Sequence, residues 1–204
     1  GVALHASDER RPGRTIESGT RRLAEEIAGA VHLRLETGAD LTRIPTGRRP
    51  MSQRSAIRIG VIADTHGLFD PAIRRHFRGV DHILHAGDIG DRSVIEQLEQ
   101  IAPVTAVSGN VDDDEQKGFP SEAVIELAVR HIAIRHILYE GGKLTKDGRA
   151  LLDREQPDIC IFGHTHQPKV EWFGKILLFN PGSAGPKRFS LPRGIGPLTI
   201  QKKN

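Results

Sequence analysis

The chain has 204 residues, a formal net charge of +3, 37% hydrophobic and 4% aromatic residues, and one cysteine. That is enough for one α/β-sized domain with residues to spare. It excludes a disulfide framework, and no apolar run approaches the roughly 18 residues of a membrane span.

Charge and composition shift near residue 50. Residues 1–50 hold nine Arg and no Lys against seven Asp plus Glu, which leaves 20 basic and 19 acidic side chains in 51–204. The body of the chain therefore lacks the basic footprint of a nucleic-acid binder. Arg10-Arg11-Pro12-Gly13-Arg14 is charged and rich in breakers and reads as disordered. Over Thr20–Leu35, the residues Leu23, Ile27, Ala30 and Val31 recur at helical spacing and predict one amphipathic helix. Ile44 to Pro50 reads as a linker, and the only methionine, Met51, precedes the first strong strand. Residues 1–50 are thus expected to be an extension to a domain of residues 51–204. They are either an upstream segment ahead of a start at Met51 or an appended helix that caps the domain or dimerises it into a homo-oligomer.

From Ile57 the elements alternate. Ile57–Ala63 is a strand ending in Asp64-Thr65-His66-Gly67, and Asp70 with Pro71 opens a helix to Arg78. His82–Ala86 is a strand ending in Gly87-Asp88, and Asp91–Ile101 is an amphipathic helix. Val104–Val107 is a strand ending in Ser108-Gly109-Asn110. Glu122–Ala128 and His131–Arg135 predict a hairpin that ends in His136, and Lys146–Gln156 predicts a helix. The apolar run Asp158–Phe162 reads as a buried strand ahead of Gly163-His164-Thr165-His166. Val170–Phe173 and Ile176–Phe179 form a further hairpin, Asn180-Pro181-Gly182-Ser183 a turn, and Leu198–Ile200 a last strand. Cys160, inside an apolar run, reads as a small buried hydrophobe, and this cysteine usage fits a cytoplasmic location.

Five strand ends carry groups able to bind a divalent cation: Asp64 and His66, Asp88, Asn110, His136, and His164 with His166. Ligands of open α/β sheets gather at the C-terminal ends of strands. Oxygen and imidazole donors without a thiolate suit Mn, Fe, Zn or Ni better than a structural zinc site. The donor count exceeds four, which predicts two ions with one carboxylate shared, an arrangement that clamps an in-line phosphoryl displacement.

In this order, Asp-x-His, Gly-Asp, Gly-Asn, His and Gly-His-x-His resemble the calcineurin-like metallophosphoesterases. Asp64-Thr65-His66-Gly67, Gly109-Asn110-Val111-Asp112, Gly163-His164-Thr165-His166 and Asn180-Pro181-Gly182-Ser183 are similar to the small YfcE-type phosphodiesterase branch. The resemblance covers about residues 57–201 and implies a four-layer α/β/β/α sandwich of two mixed sheets flanked by helices. It implies a phosphodiesterase that uses two divalent ions, manganese first and Ni, Fe, Co or Zn as alternatives, and a bridging hydroxide on a small phosphate-ester substrate. Asp64, His66 and His166 would hold the first ion, Asn110, His136 and His164 the second, and Asp88 would bridge them. Catalytic parts fall to Asp88, Asn110, which would also touch a substrate phosphate oxygen, and His136.

The chain departs from the family pattern at three places. Val111 stands where many relatives carry a leaving-group histidine, and a hydrocarbon donates no proton; His85, Asp112 or a metal-bound water would have to substitute. His136 is followed by Ile137 rather than the usual Gly, which brings in His131 as an alternative ligand. Residues 1–50 have no counterpart. His85 reads as a buried structural histidine with a supporting role as alternative, and Asp112 as a solvated acid with orientation of a ligand as alternative. His32 and His76 read as surface residues on helices, Lys187 and Arg188 as surface charges or substrate contacts, and Trp172 with Phe173 as a packed hairpin face. The same fold resembles that of the retromer subunit, so a protein-interaction scaffold is the alternative function; a nuclease is disfavoured by the near-neutral body.

Overall fold

The computed structural model describes residues 31–33, 36–37, 56–112, 118–187, 191 and 193–201. In chain order its strands are β1 (Val31–Leu33), β2 (Glu36–Thr37), β3 (Ala56–Ile62), β4 (His82–His85), β5 (Val104–Ala106), β6 (Glu122–Leu127), β7 (Arg130–Arg135), β8 (Tyr139–Glu140), β9 (Lys143–Leu144), β10 (Ile159–Ile161), β11 (Lys169–Phe173), β12 (Ile176–Asn180) and β13 (Gly194–Gln201). The helices are α1 (Ala72–His76), α2 (Arg92–Glu99) and α3 (Lys146–Glu155).

Two mixed sheets carry the fold. The first runs β1-β13-β3-β4-β5, with β2 also on β13, and the second runs β11-β12-β10-β7-β6. In the first, β3, β4 and β5 are mutually parallel and β13 is antiparallel to β3. In the second, β7, β10 and β12 are parallel, with β6 and β11 antiparallel at the edges.

Strand periodicity of two sorts the apolar side chains into layers. Ile57, Ile59 and Val61 of β3, with Leu84, Leu198 and Ile200, face Ile132, Ile134, Ile159, Ile161, Leu177 and Phe179 of the second sheet in one core. The alternate residues face outward. Ile62 and Ile83 pack under α1 and α2 against Ile73, Phe77, Val94, Ile95 and Leu98. Ala133, Cys160 and Leu178 pack under α3 against Leu151 and Leu152. The four-layer α/β/β/α sandwich expected from the sequence is what forms. Burial pushes the Cys160 thiol up to about 12, as befits an inert packing residue.

Local chemistry sets the helix starts. Asp91 accepts from the Ser93 N–H and Thr145 from the Gly148 N–H, each satisfying an amide that the first turn leaves unpaired. Asp70 accepts from the Ala72 N–H at α1.

The helix expected over Thr20–Leu35 is corrected where it is described. Val31–Leu33 is a strand that pairs antiparallel with Leu198–Ile200, so His32 lies on a strand. Residues 20–30, the disordered run at 10–14 and the linker at 44–50 lie outside the described residues. β13 runs from Gly194, four residues ahead of the expected start, and its free edge offers a backbone ladder that outweighs weak helical periodicity in a short segment. Thr37 pairs with Gly194 in the same way. The described part of the extension is therefore hydrogen-bonded into the sheet of the domain.

Candidate metal centre

The parallel strands β3, β4 and β5 of one sheet and β7 and β10 of the other end on the same side of the sandwich. Just past those ends stand all seven residues singled out above. His66 Nε2 lies 3.2 Å from His166 Nε2, and His166 Nε2 lies 3.3 Å from Asp64 Oδ1. Asp88 reaches two ways: Oδ2 is 3.8 Å from His66 Nε2, and Oδ1 is 3.2 Å from His136 Nε2. Asn110 Oδ1 is 3.2 Å from His136 Nε2 and 3.0 Å from His164 Nδ1. One donor atom each from Asp64, His66, Asp88 and His166 falls within 4.8 Å of all the others.

Backbone strain is concentrated here. Eight non-glycine residues among those described have positive φ, and five are Asp64, His66, Asp88, His164 and His166. Each such residue costs on the order of 1–2 kcal/mol. Backbone bonds between the loops hold them in place: Asp64 N–H to Gly87 O at 3.0 Å, His66 N–H to Asp88 O at 2.9 Å and Gly67 N–H to Ile89 O at 2.7 Å. Gly109 has no alternative, because a Cβ there would sit 2.1 Å from Asp88 Oδ1.

The cluster has the marks of a cation site. Asp64 is fully buried, and its Oδ2 has no hydrogen-bond partner among the described residues. A buried carboxylate oxygen left without a donor is costly unless a cation meets it. His136 Nδ1–H donates to Ala86 O at 2.7 Å, which turns Nε2 into the cluster. That is the orientation a metal-binding imidazole takes when its other nitrogen is anchored. Burial disfavours the His136 imidazolium, but the Asp88 carboxylate beside it outweighs this and its pKa is raised. Burial likewise works against the Asp88 anion, and His136 overcomes it, so the Asp88 pKa is lowered. The two groups share charge across the gap that a cation would fill.

Other residues hold the donor loops. His85 is fully buried. Thr65 Oγ1 donates to Ile89 O, so His85 Nε2–H donates to Thr65 Oγ1 at 2.9 Å while His85 Nδ1 accepts from the Gly87 N–H at 3.2 Å. Asp112 accepts from the Ile89, Gly90 and Gly109 N–H groups. His85 and Asp112, both weighed above as substitute proton donors, are thus turned to loop scaffolding. Asn180 donates to Gly163 O, and Ser183 Oγ donates to Asp64 O. These two roles were missed, although the Asn-Pro-Gly-Ser turn that carries them was legible.

His131 stands apart from the cluster, at the far end of β7, where its N–H donates to Asp158 Oδ2. His82 bonds Thr105 Oγ1 on the neighbouring strand. Lys187 is exposed, and Arg188 lies outside the described residues. Phe173 packs on the α3 side, whereas Trp172 is 38% exposed.

Two packed mixed sheets that converge on a buried carboxylate–imidazole cluster define a metallophosphoesterase-type architecture. The chain belongs to the calcineurin-like phosphoesterase superfamily, whose domain model matches residues 57–203. It is 36% identical over 154 residues to a probable metallophosphoesterase of Methanocaldococcus jannaschii, covering 71% of this chain and 77% of that one. It is 33% identical over 117 residues to the phosphodiesterase YfcE of Escherichia coli, covering 52% of this chain and 55% of the relative. Among solved structures, Vacuolar Protein Sorting 29 from Cryptosporidium parvum superposes with a TM-score of 0.62 at 22% identity, covering 73% of this chain and 88% of that one. That likeness is one of fold.

Proposed function

We propose that the protein hydrolyses small phosphodiesters with two divalent ions, manganese foremost, at the cluster described above. The observation that carries the reading is the approach of Asp64, His66, Asp88 and His166 donors within 4.8 Å, with one buried Asp64 oxygen unpartnered. Asp64, His66 and His166 would hold the first ion, Asn110, His136 and His164 the second, and Asp88, with one oxygen toward each group, both. Oxygen and imidazole donors without thiolate are compatible with Mn, Ni, Fe, Co and Zn. When bound, the ions supply Lewis acidity toward phosphoryl oxygens and make hydroxide available at neutral pH.

The chain's own part is positional. Ala86 O and the Val111 N–H fix His136 and Asp88 respectively. Asn110, exposed at the mouth, offers its amide N–H groups to a phosphate oxygen. No helix among the described residues is long and apolar enough to cross a membrane. Small diffusible phosphate esters and a cytoplasmic setting belong to the same reading, as does self-association through the extension.

The test is hydrolysis of a generic aryl phosphodiester with Mn, Ni, Co, Zn and Mg supplied in turn. Asp88→Asn removes the carboxylate that faces both donor groups and should lower the rate by on the order of 100-fold or more. Wild-type protein inactive with every metal would end the reading in favour of a protein-interaction scaffold.

A further inference from the structure

Among the described residues, Asp112 places both carboxylate oxygens on backbone amides beside the cluster. Oδ1 accepts from the Gly90 N–H at 2.9 Å. Oδ2 accepts from the Ile89 N–H at 3.0 Å and the Gly109 N–H at 2.9 Å. Ile89 and Gly90 follow Asp88, and Gly109 precedes Asn110. The favour is returned, because the Val111 N–H donates to Asp88 Oδ1 at 3.1 Å. Each loop's aspartate is therefore bonded to the other loop's backbone. The two loops also touch so closely that a Cβ on Gly109 would meet Asp88 Oδ1 at 2.1 Å and Asp88 N at 2.3 Å.

We infer that Asp112 is a positioning residue that sets the spacing between Asp88 and Asn110 and thereby builds the second ion site. The inference rests on the two-ion reading given above. It concerns the half of the cluster made by Asn110, His136 and His164. The Asp64–His66 loop is tied to the Asp88 loop by backbone bonds and by His85. Three charge-assisted bonds to amides from two loops call for a carboxylate. An amide side chain would turn its NH2 group toward N–H donors, and a carboxylate one methylene longer would overshoot them.

The experiment is calorimetric titration of metal-free protein with Mn2+, for wild type, Asp112→Asn and Asp112→Glu, with circular dichroism to check folding. Wild type should take up two ions per chain. Both variants should keep the first and bind the second about 10–100-fold more weakly, the range typical of residues that orient ligands. Their hydrolytic rate should recover when Mn2+ is raised in proportion. The Glu variant keeps the charge, so its loss separates position from electrostatics, and it carries the test should the Asn variant not fold. Wild-type affinity for both ions in the Glu variant would overturn the inference. Fewer than two ions bound by wild type would overturn the two-ion reading, and this inference with it.

Discussion

Val111 and His85 show how single positions set the chemistry of the cluster. Val111 is 51% exposed beside Asn110 and has only its backbone engaged, with Asp88. A hydrocarbon there cannot protonate a departing alkoxide. His85 and Asp112 cannot stand in, because both nitrogens of the one and both oxygens of the other are already bonded. Rates on aryl diesters should fall steeply as leaving-group pKa rises. Val111→His should restore turnover of the poorest leaving groups by about 10-fold or more, within the range of general-acid catalysis. A flat leaving-group dependence in the wild type would refute this. Burial pushes the His85 pKa from 6.5 down to about 4. The unfolded chain therefore takes up this proton first as pH falls. The metal-free protein should be fully stable, as far as His85 is concerned, above about pH 6.5 and lose stability toward pH 4, by an amount on the order of 3 kcal/mol. Urea unfolding of chelator-treated wild type and His85→Asn across that window should show the steeper decline in the wild type.

The elements were legible in proportion to how local their causes are. Strands β3, β4 and β10 and the helices α2 and α3 follow from apolar runs, caps and breakers within a few residues, and their ends lie within two residues of expectation. Val31–Leu33 was misread because its partner, β13, lies far along the chain. The β8–β9 pair was missed because each strand is two residues long. The β6–β7 hairpin was legible, but its turn is unusual: Ala128 and Val129 take φ of 52° and 60°. Such turns favour Asn-Gly, and a β-branched residue in this region is strained. Val129 is 63% exposed, so little packing is lost by replacing it. Val129→Gly should therefore stabilise the protein by about 1 kcal/mol, even after the flexibility that glycine adds to the unfolded chain. A lower denaturation midpoint for Val129→Gly would show that the valine side chain makes a contact worth more than the strain.

At the scale of the molecule, residue type and position along the chain were enough to single out seven residues that the fold brings to one edge. A histidine, carboxylate or amide next to a glycine after an apolar run carries its own signal, and parallel strands of α/β sheets bring such ends to one edge. The family followed from the order of those short motifs. Folding decided everything that depends on two distant segments meeting. It is the packing of Ile57, Ile59 and Val61 against Ile132, Ile134 and Ile161 that brings the ends of two separate sheets together. That meeting leaves Asp64 Oδ2 buried without a donor and holds five of the seven candidate residues at positive φ, a conformation their residue types do not announce. It also turns Asp112, in a stretch that reads as a solvated acidic run, onto three amides of two loops. Side-chain identity is a local property of the chain, whereas donor spacing, backbone strain and desolvation exist only once the sheets have closed on each other.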